Sequence, residues 1–126
     1  MRIPLYIEFE GKNVLTIGGG GVGTVRAKKF RDAGANVKVI SLDFTEELQE
    51  LSKDTKIELI EGDAFDEKTL EPLIAWSNIV TVAIGNLKIN DIVEKLARKY
   101  KVLVNLANDA DRTEVVVPFE GDVEGI

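Results

Sequence analysis

The sequence contains no cysteine and no histidine. The first absence excludes disulfides, thiolate nucleophiles and zinc–thiolate centres; the second removes the commonest general base and metal ligand. Proton transfer then falls to Asp, Glu, Lys, Tyr or water, and no permanent transition-metal site is expected. Long apolar runs are missing too. Nothing approaches the roughly 18–20 residues of a membrane span, and Met1-Arg2-Ile3-Pro4 lacks the apolar core of a signal peptide. The expectation is a cytoplasmic protein with no membrane partner. Basic residues are the minority, 16 Lys and Arg against 22 Asp and Glu, for a formal charge of −6. That balance disfavours nucleic acid as a partner. There are no repeats, low-complexity tracts or linkers.

What is present is an ordinary globular composition: 126 residues, 44% hydrophobic and 30% charged, enough for one core and no second module over residues 1–126. Short runs rich in Val and Ile alternate with amphipathic stretches. The pattern predicts strands at 14–17, 37–40, 57–60, 79–83 and 102–104. Helices are predicted at 22–33, with Val22, Val25, Ala27 and Phe30 at helical spacing, and at 45–52, 67–75 and 89–100. Gly34 suits the position just past a helix end and Asp66 suits an N-cap, whereas Pro72 signals a short or kinked helix. Such alternation specifies an open, doubly wound α/β domain of Rossmann type, its mainly parallel sheet covered by helices on both faces. Two runs stand outside the pattern. Ile3, Leu5, Ile7 and Phe9 alternate as an extra edge strand or a partner contact would, and Val115-Val116-Val117 is β-rich and closed by Pro118. The tail from Glu120 to Ile126 is polar and offers no capping element.

Gly18, Gly20 and Gly23 satisfy G-x-G-x-x-G directly after a predicted strand and at the start of a predicted helix, the context that gives the pattern meaning. Each glycine has its own task. Gly18 permits the tight turn, Gly20 lets a pyrophosphate approach the backbone, and Gly23 lets helix and strand pack closely. The helix N-terminus adds free N–H groups and a positive dipole. Asp43 lies 20 residues beyond Gly23, just after the second strand, where its carboxylate can bind ribose hydroxyls. No Arg or Lys follows it closely, so NAD is favoured over NADP. The competing reading is a glycine-rich turn without a ligand and a solvated Asp43. A P-loop is excluded, since no Gly-Lys-Ser/Thr follows the run.

Ile3-Pro4-Leu5-Tyr6, Glu10-Gly11-Lys12, the loop through Gly23 and Ala33-Gly34-Ala35 together resemble the N-terminal domain of siroheme synthases, the precorrin-2 dehydrogenase family. The second half agrees in Glu61-Gly62, Phe65-Asp66, Asn90 and Val104-Asn105-Leu106-Ala107-Asn108-Asp109, with Pro118 falling 13 residues after Asn105. The resemblance implies NAD-dependent oxidation of the tetrapyrrole precorrin-2 to sirohydrochlorin, in some members with ferrochelatase activity, by a homodimer. It places NAD against Gly20, Gly21 and Val22, with Leu42 and Asp43 after the second strand and Ala83 and Ile84 at the nicotinamide side.

Three departures stand out. The family's catalytic aspartate falls on Asn108, with a carboxylate only at Asp109. Either Asp109 takes the role, or Asn108 orients substrate, or dehydrogenation is lost. Ile84-Gly85-Asn86 replaces the family's Thr-Asp-Asp, and the chain ends where the family continues, as a truncated fragment would. Lys88 and Arg112 are candidates for the substrate's carboxylates, against a reading as ordinary surface charges, with Glu114 placed to neutralise Arg112. Asp63, Asp66 and Glu67 read as turn and cap chemistry rather than a metal site. Trp76 and Phe44 read as core or edge aromatics, with adenine stacking a minority role for Phe44. The run from Arg26 to Lys29 reads as a solvated helix face. Two other functions compete: a nucleotide-sensing module of the kind that gates potassium transport, which Gly62-Asp63-Ala64 resembles, and an inactive scaffold of the same fold.

Overall fold

In a computed structural model, which describes residues 1–53 and 56–118, nine elements alternate along the chain. They are β1 (Asn13–Ile17), α1 (Gly21–Asp32), β2 (Asn36–Ser41), α2 (Glu46–Leu51), β3 (Ile57–Glu61), α3 (Glu67–Trp76), β4 (Ile79–Val82), α4 (Lys88–Tyr100) and β5 (Leu103–Leu106). All strand pairs are parallel, in the order β3-β2-β1-β4-β5. The polypeptide thus moves outward from β1 to one edge, then crosses back to β4 beside β1, which leaves a crevice between the diverging halves. Among the described residues no helix is long and apolar enough to cross a membrane.

Alternation along each strand sorts the core into two layers. Leu15, Ile17, Val80 and Val82 meet Leu70 and Ile74 of α3 and Ile89 and Val93 of α4. On the opposite face Val14, Val37, Val39 and Ile79 meet Ala27 and Phe30 of α1 and Leu48 of α2. Helix ends follow local chemistry. Thr45 caps α2 by accepting the Leu48 N–H at 3.1 Å, and Asp66 caps α3 by accepting the Lys68 N–H at 3.2 Å. At the end of α1, Gly34 takes φ +91°, donating to Arg31 O while Ala35 donates to Phe30 O, the paired bonds of a Schellman ending. α3 runs on past Pro72 to Trp76, so the proline does not shorten it.

The edge-strand reading of the N-terminal run and the solvated reading of Arg26 give way, and the β-rich run at 115–117 stays outside the sheet. Residues 1–9 form no strand: Ile3, Leu5 and Tyr6 stand exposed, and only Phe9 is gathered in, its ring 5.0 Å from that of Phe30. Residues 115–117 form none either. They lie as a strap along β5, where Val115 N–H donates to Val104 O, but Thr113 Oγ1 and Glu114 Oε2 accept the Leu106 and Val104 N–H groups in place of backbone carbonyls. Side chains have taken the ladder positions, so the segment cannot pair as a strand. On α1 the buried stripe is Gly23, Arg26, Ala27 and Phe30, while Val22 and Val25 are 49% and 54% exposed. Arg26 therefore is not solvated; its stem shares the inward stripe set by Gly23 and Phe30, and burial pushes its guanidinium pKa down. The tail from Glu120 to Ile126 lies outside the described residues.

Candidate functional site

A cleft of about 600 Å³ opens at the carboxyl ends of β1, β2, β3 and β4, lined by residues 17–20, 40–45, 62–65 and 83–85. Parallel strands direct their loops to this end, and the reversal of strand order between β1 and β4 separates them there. The glycine loop is its floor. Gly18 has φ +116°, and a Cβ on it would lie 2.7 Å from Ala83 O and 2.8 Å from Ile84 Cγ2. A Cβ on Gly23 would run into the Gly18 carbonyl, and one on Gly19 into the Asp43 carbonyl and Phe44. Gly18, Gly19 and Gly23 are thus set by packing. Gly20 and Gly21 are different, because nothing lies within 4 Å of where their Cβ atoms would be. They leave an open backbone cradle at the N-terminus of α1, where first-turn N–H groups have no helical acceptor. An anionic group has both room and donors there. Thr24 fixes the cradle by donating to Gly20 O at 2.7 Å and sharing a 2.7 Å hydrogen bond with Thr45, whose own N–H donates to Gly19 O.

Leu42 and Asp43 sit on the rim, exposed, beyond the end of β2. Among the described residues no Lys or Arg lines the cleft, whereas Asp43 and Asp63 both do. A phosphate on the ribose beside Asp43 would meet a carboxylate without a compensating cation, so the cavity suits a dinucleotide with free ribose hydroxyls. Ala83 and Ile84 line the opposite end, with the Ala83 N–H donating to Ile17 O. The residues present therefore fit a bound dinucleotide.

The other candidates lie away from this floor. Asn108 and Asp109 follow β5 and are not among the residues lining the cleft. Asn108 Nδ2 donates to Ile84 O at 2.7 Å and exchanges amide hydrogen bonds with Asn90 of α4 at 3.0 and 3.1 Å. Asp109 closes a turn by accepting the Arg112 N–H at 3.1 Å. Lys88 opens α4 and is exposed. Arg112 pairs with Asp91 and Glu94 of α4, hydrogen bonds that raise its pKa further, Asp91 contributing most. Its neutralising partners are these, not Glu114, which binds the Val104 N–H instead.

Asp63 accepts the Phe65 N–H, Asp66 caps α3 and Glu67 pairs with Lys95, so each acidic group has a local structural partner. Phe44 is half-buried at the cleft, and Trp76 lies far from it, its ring under Lys38 Nζ at 4.3 Å. Sequence reasoning passed over Thr24, Thr45 and the pairing of Asn90. The signal for Asn90 was an amide in the buried stripe of α4, beside Ile89 and Val93. Asn105, in the distinctive C-terminal block, is explained by the fold: it accepts from Thr81 on β4 and donates to Val115 O, holding the strap.

The family described as "Putative NAD(P)-binding" matches residues 5–119. The chain belongs to that family. Within it, the chain is 32% identical over 98% of its length to a protein of Methanocaldococcus jannaschii named "Putative precorrin-2 dehydrogenase". It is 30% identical over 92% of its length to the "Precorrin-2 dehydrogenase" of Methanosarcina barkeri. The chain spans 61% and 51% of these relatives' lengths. A solved structure titled "SirC, precorrin-2 dehydrogenase" superposes with TM-score 0.76 at 23% identity, covering 94% of this chain and 55% of that one, a likeness of fold.

Proposed function

We propose that the chain is the NAD-binding domain of a precorrin-2 dehydrogenase, which oxidises precorrin-2 to sirohydrochlorin in siroheme biosynthesis. The observation that carries the reading is the open cradle at Gly20 and Gly21, at the switch point of the sheet, in a chain so similar over its whole length to proteins of that name. Gly18 and Gly23 shape the loop, while Gly20, Gly21 and Val22 offer backbone N–H groups to the pyrophosphate. Leu42 and Asp43 receive the adenosine ribose, and Ala83 and Ile84 border the nicotinamide. When bound, NAD⁺ supplies the hydride acceptor. The chain's part is to hold the dinucleotide and take the departing proton. Asp109 is the carboxylate assigned to that proton, since an amide at Asn108 cannot accept it. Lys88 is the exposed cation assigned to the substrate's carboxylates. Arg112 joins it only by exchanging Asp91 and Glu94 for substrate. A homodimer in the cytoplasm belongs to the same reading, supported by the exposed apolar arm at Ile3, Leu5 and Tyr6.

The test is anaerobic incubation of the protein with precorrin-2 and NAD⁺, following sirohydrochlorin absorbance and NADH together. Stoichiometric formation of both is expected, with a loss of about 10²–10⁴-fold in rate for Asp109→Ala, the usual worth of a positioned acid or base. NAD⁺ binding without turnover would contradict the dehydrogenase reading.

A further inference from the structure

The amide pair behind the cleft points to a function for Asn108 other than chemistry. A carbonyl oxygen can only accept, so the contact with Ile84 O fixes which end of the Asn108 amide is Nδ2. The same nitrogen gives its second hydrogen to Asn90 Oδ1, and Asn90 Nδ2 returns one to Asn108 Oδ1. Both N–H groups of Asn108 are thereby engaged, and its oxygen already accepts. Asn90 is fully buried in the inward stripe of α4, so this reciprocal pair is anchored to a rigid element. From there the contacts lead to the cleft: Asn90 to Asn108, Asn108 to the Ile84 backbone, and Ala83 and Ile84 against Gly18, so closely that no Cβ fits between them. The other end of the cleft has independent supports, with Gly18 N–H on Ile40 O and Thr45 N–H on Gly19 O.

We propose that Asn108 is a positioning residue which, with Asn90, fixes the Ile84 backbone and so shapes the nicotinamide end of the cleft while leaving the adenosine end alone. The proposal rests on the dinucleotide reading above. It separates two quantities that a general loss of structure would lower together: affinity for NAD⁺, which fills both ends, and affinity for ADP-ribose, which lacks the nicotinamide.

Both ligands are titrated against wild type, Asn108→Leu and Asn90→Ala. Asn108→Leu keeps the bulk but removes the donor to the Ile84 carbonyl; Asn90→Ala removes the two hydrogen bonds that anchor Asn108 and leaves its own bond to Ile84 O in place. Each variant should raise the Kd for NAD⁺ at least tenfold and leave that for ADP-ribose within twofold. Equal losses for the two ligands, or no loss for either, would overturn the positioning function while leaving the dinucleotide reading intact. Wild-type protein that binds neither ligand would overturn both.

Discussion

Gly23 and Gly20 belong to one motif and do opposite jobs. A methyl group on Gly23 meets the Gly18 carbonyl, so Gly23→Ala forces α1 away from the loop. It should destabilise the fold by about 1–3 kcal/mol, the usual cost of overpacking, seen as a lower denaturation midpoint at unchanged slope. A methyl group on Gly20 enters open space. Gly20→Ala should shift stability by less than about 0.5 kcal/mol and instead weaken dinucleotide binding, because the methyl occupies the cradle. Equal stability losses in the two variants would contradict this division. The motif was legible at this scale because each glycine's task is local, a turn or a close approach readable from spacing. Arg26 was not. Its charge suggested solvent, but the inward stripe is set by Gly23 and Phe30, and a long stem can share an apolar stripe.

At the scale of elements, α3 and α4 are joined across their solvent side by two rungs. Lys95 pairs with Glu67 at 2.8 Å; Lys99 at 2.7 Å and the Tyr100 hydroxyl at 2.6 Å both reach Glu71. These donors, Lys99 first, hold the Glu71 carboxyl below the usual range. A folded-state pKa lower than the unfolded one stabilises the fold above the unfolded value, about 4.3 for Glu, and that contribution fades as pH falls through the folded value. Glu71→Gln should therefore melt below wild type at pH 6–7, with the gap closing as pH approaches 3. High salt should narrow it as well, since the rungs are exposed. Melting curves at several pH values check this, and a gap independent of pH would contradict it. The strands and helices here were legible because two periodicities, 2 and 3.6, are written in the apolar residues. The strap at 113–117 was not, since only one backbone pair, Val115 N–H to Val104 O, joins it to β5, while the Thr113 and Glu114 side chains take the neighbouring N–H groups, and a run of valines looks the same with or without a ladder.

For the whole molecule, the strand–helix alternation specified a doubly wound sheet, and the order β3-β2-β1-β4-β5 bears that out. It also located the cleft, because the glycine loop and Asp43 follow β1 and β2, whose ends must converge in such a sheet. What the order of residues could not convey is what lies behind the cleft. Asn90 and Asn108 are 18 residues apart and meet only once α4 and β5 are packed. The proposed function requires that the cleft receive NAD with its ribose hydroxyls at Asp43. The most direct measurement is a calorimetric titration of wild type and Asp43→Ala with NAD⁺ and with NADP⁺. Wild type should bind NAD⁺ at least tenfold more tightly than NADP⁺. Asp43→Ala should lose about 1–2 kcal/mol toward NAD⁺, the scale of a hydrogen bond to a charged group, and most of the discrimination. Equal affinity of wild type for the two, or an Asp43→Ala variant that still prefers NAD⁺ undiminished, would contradict that placement.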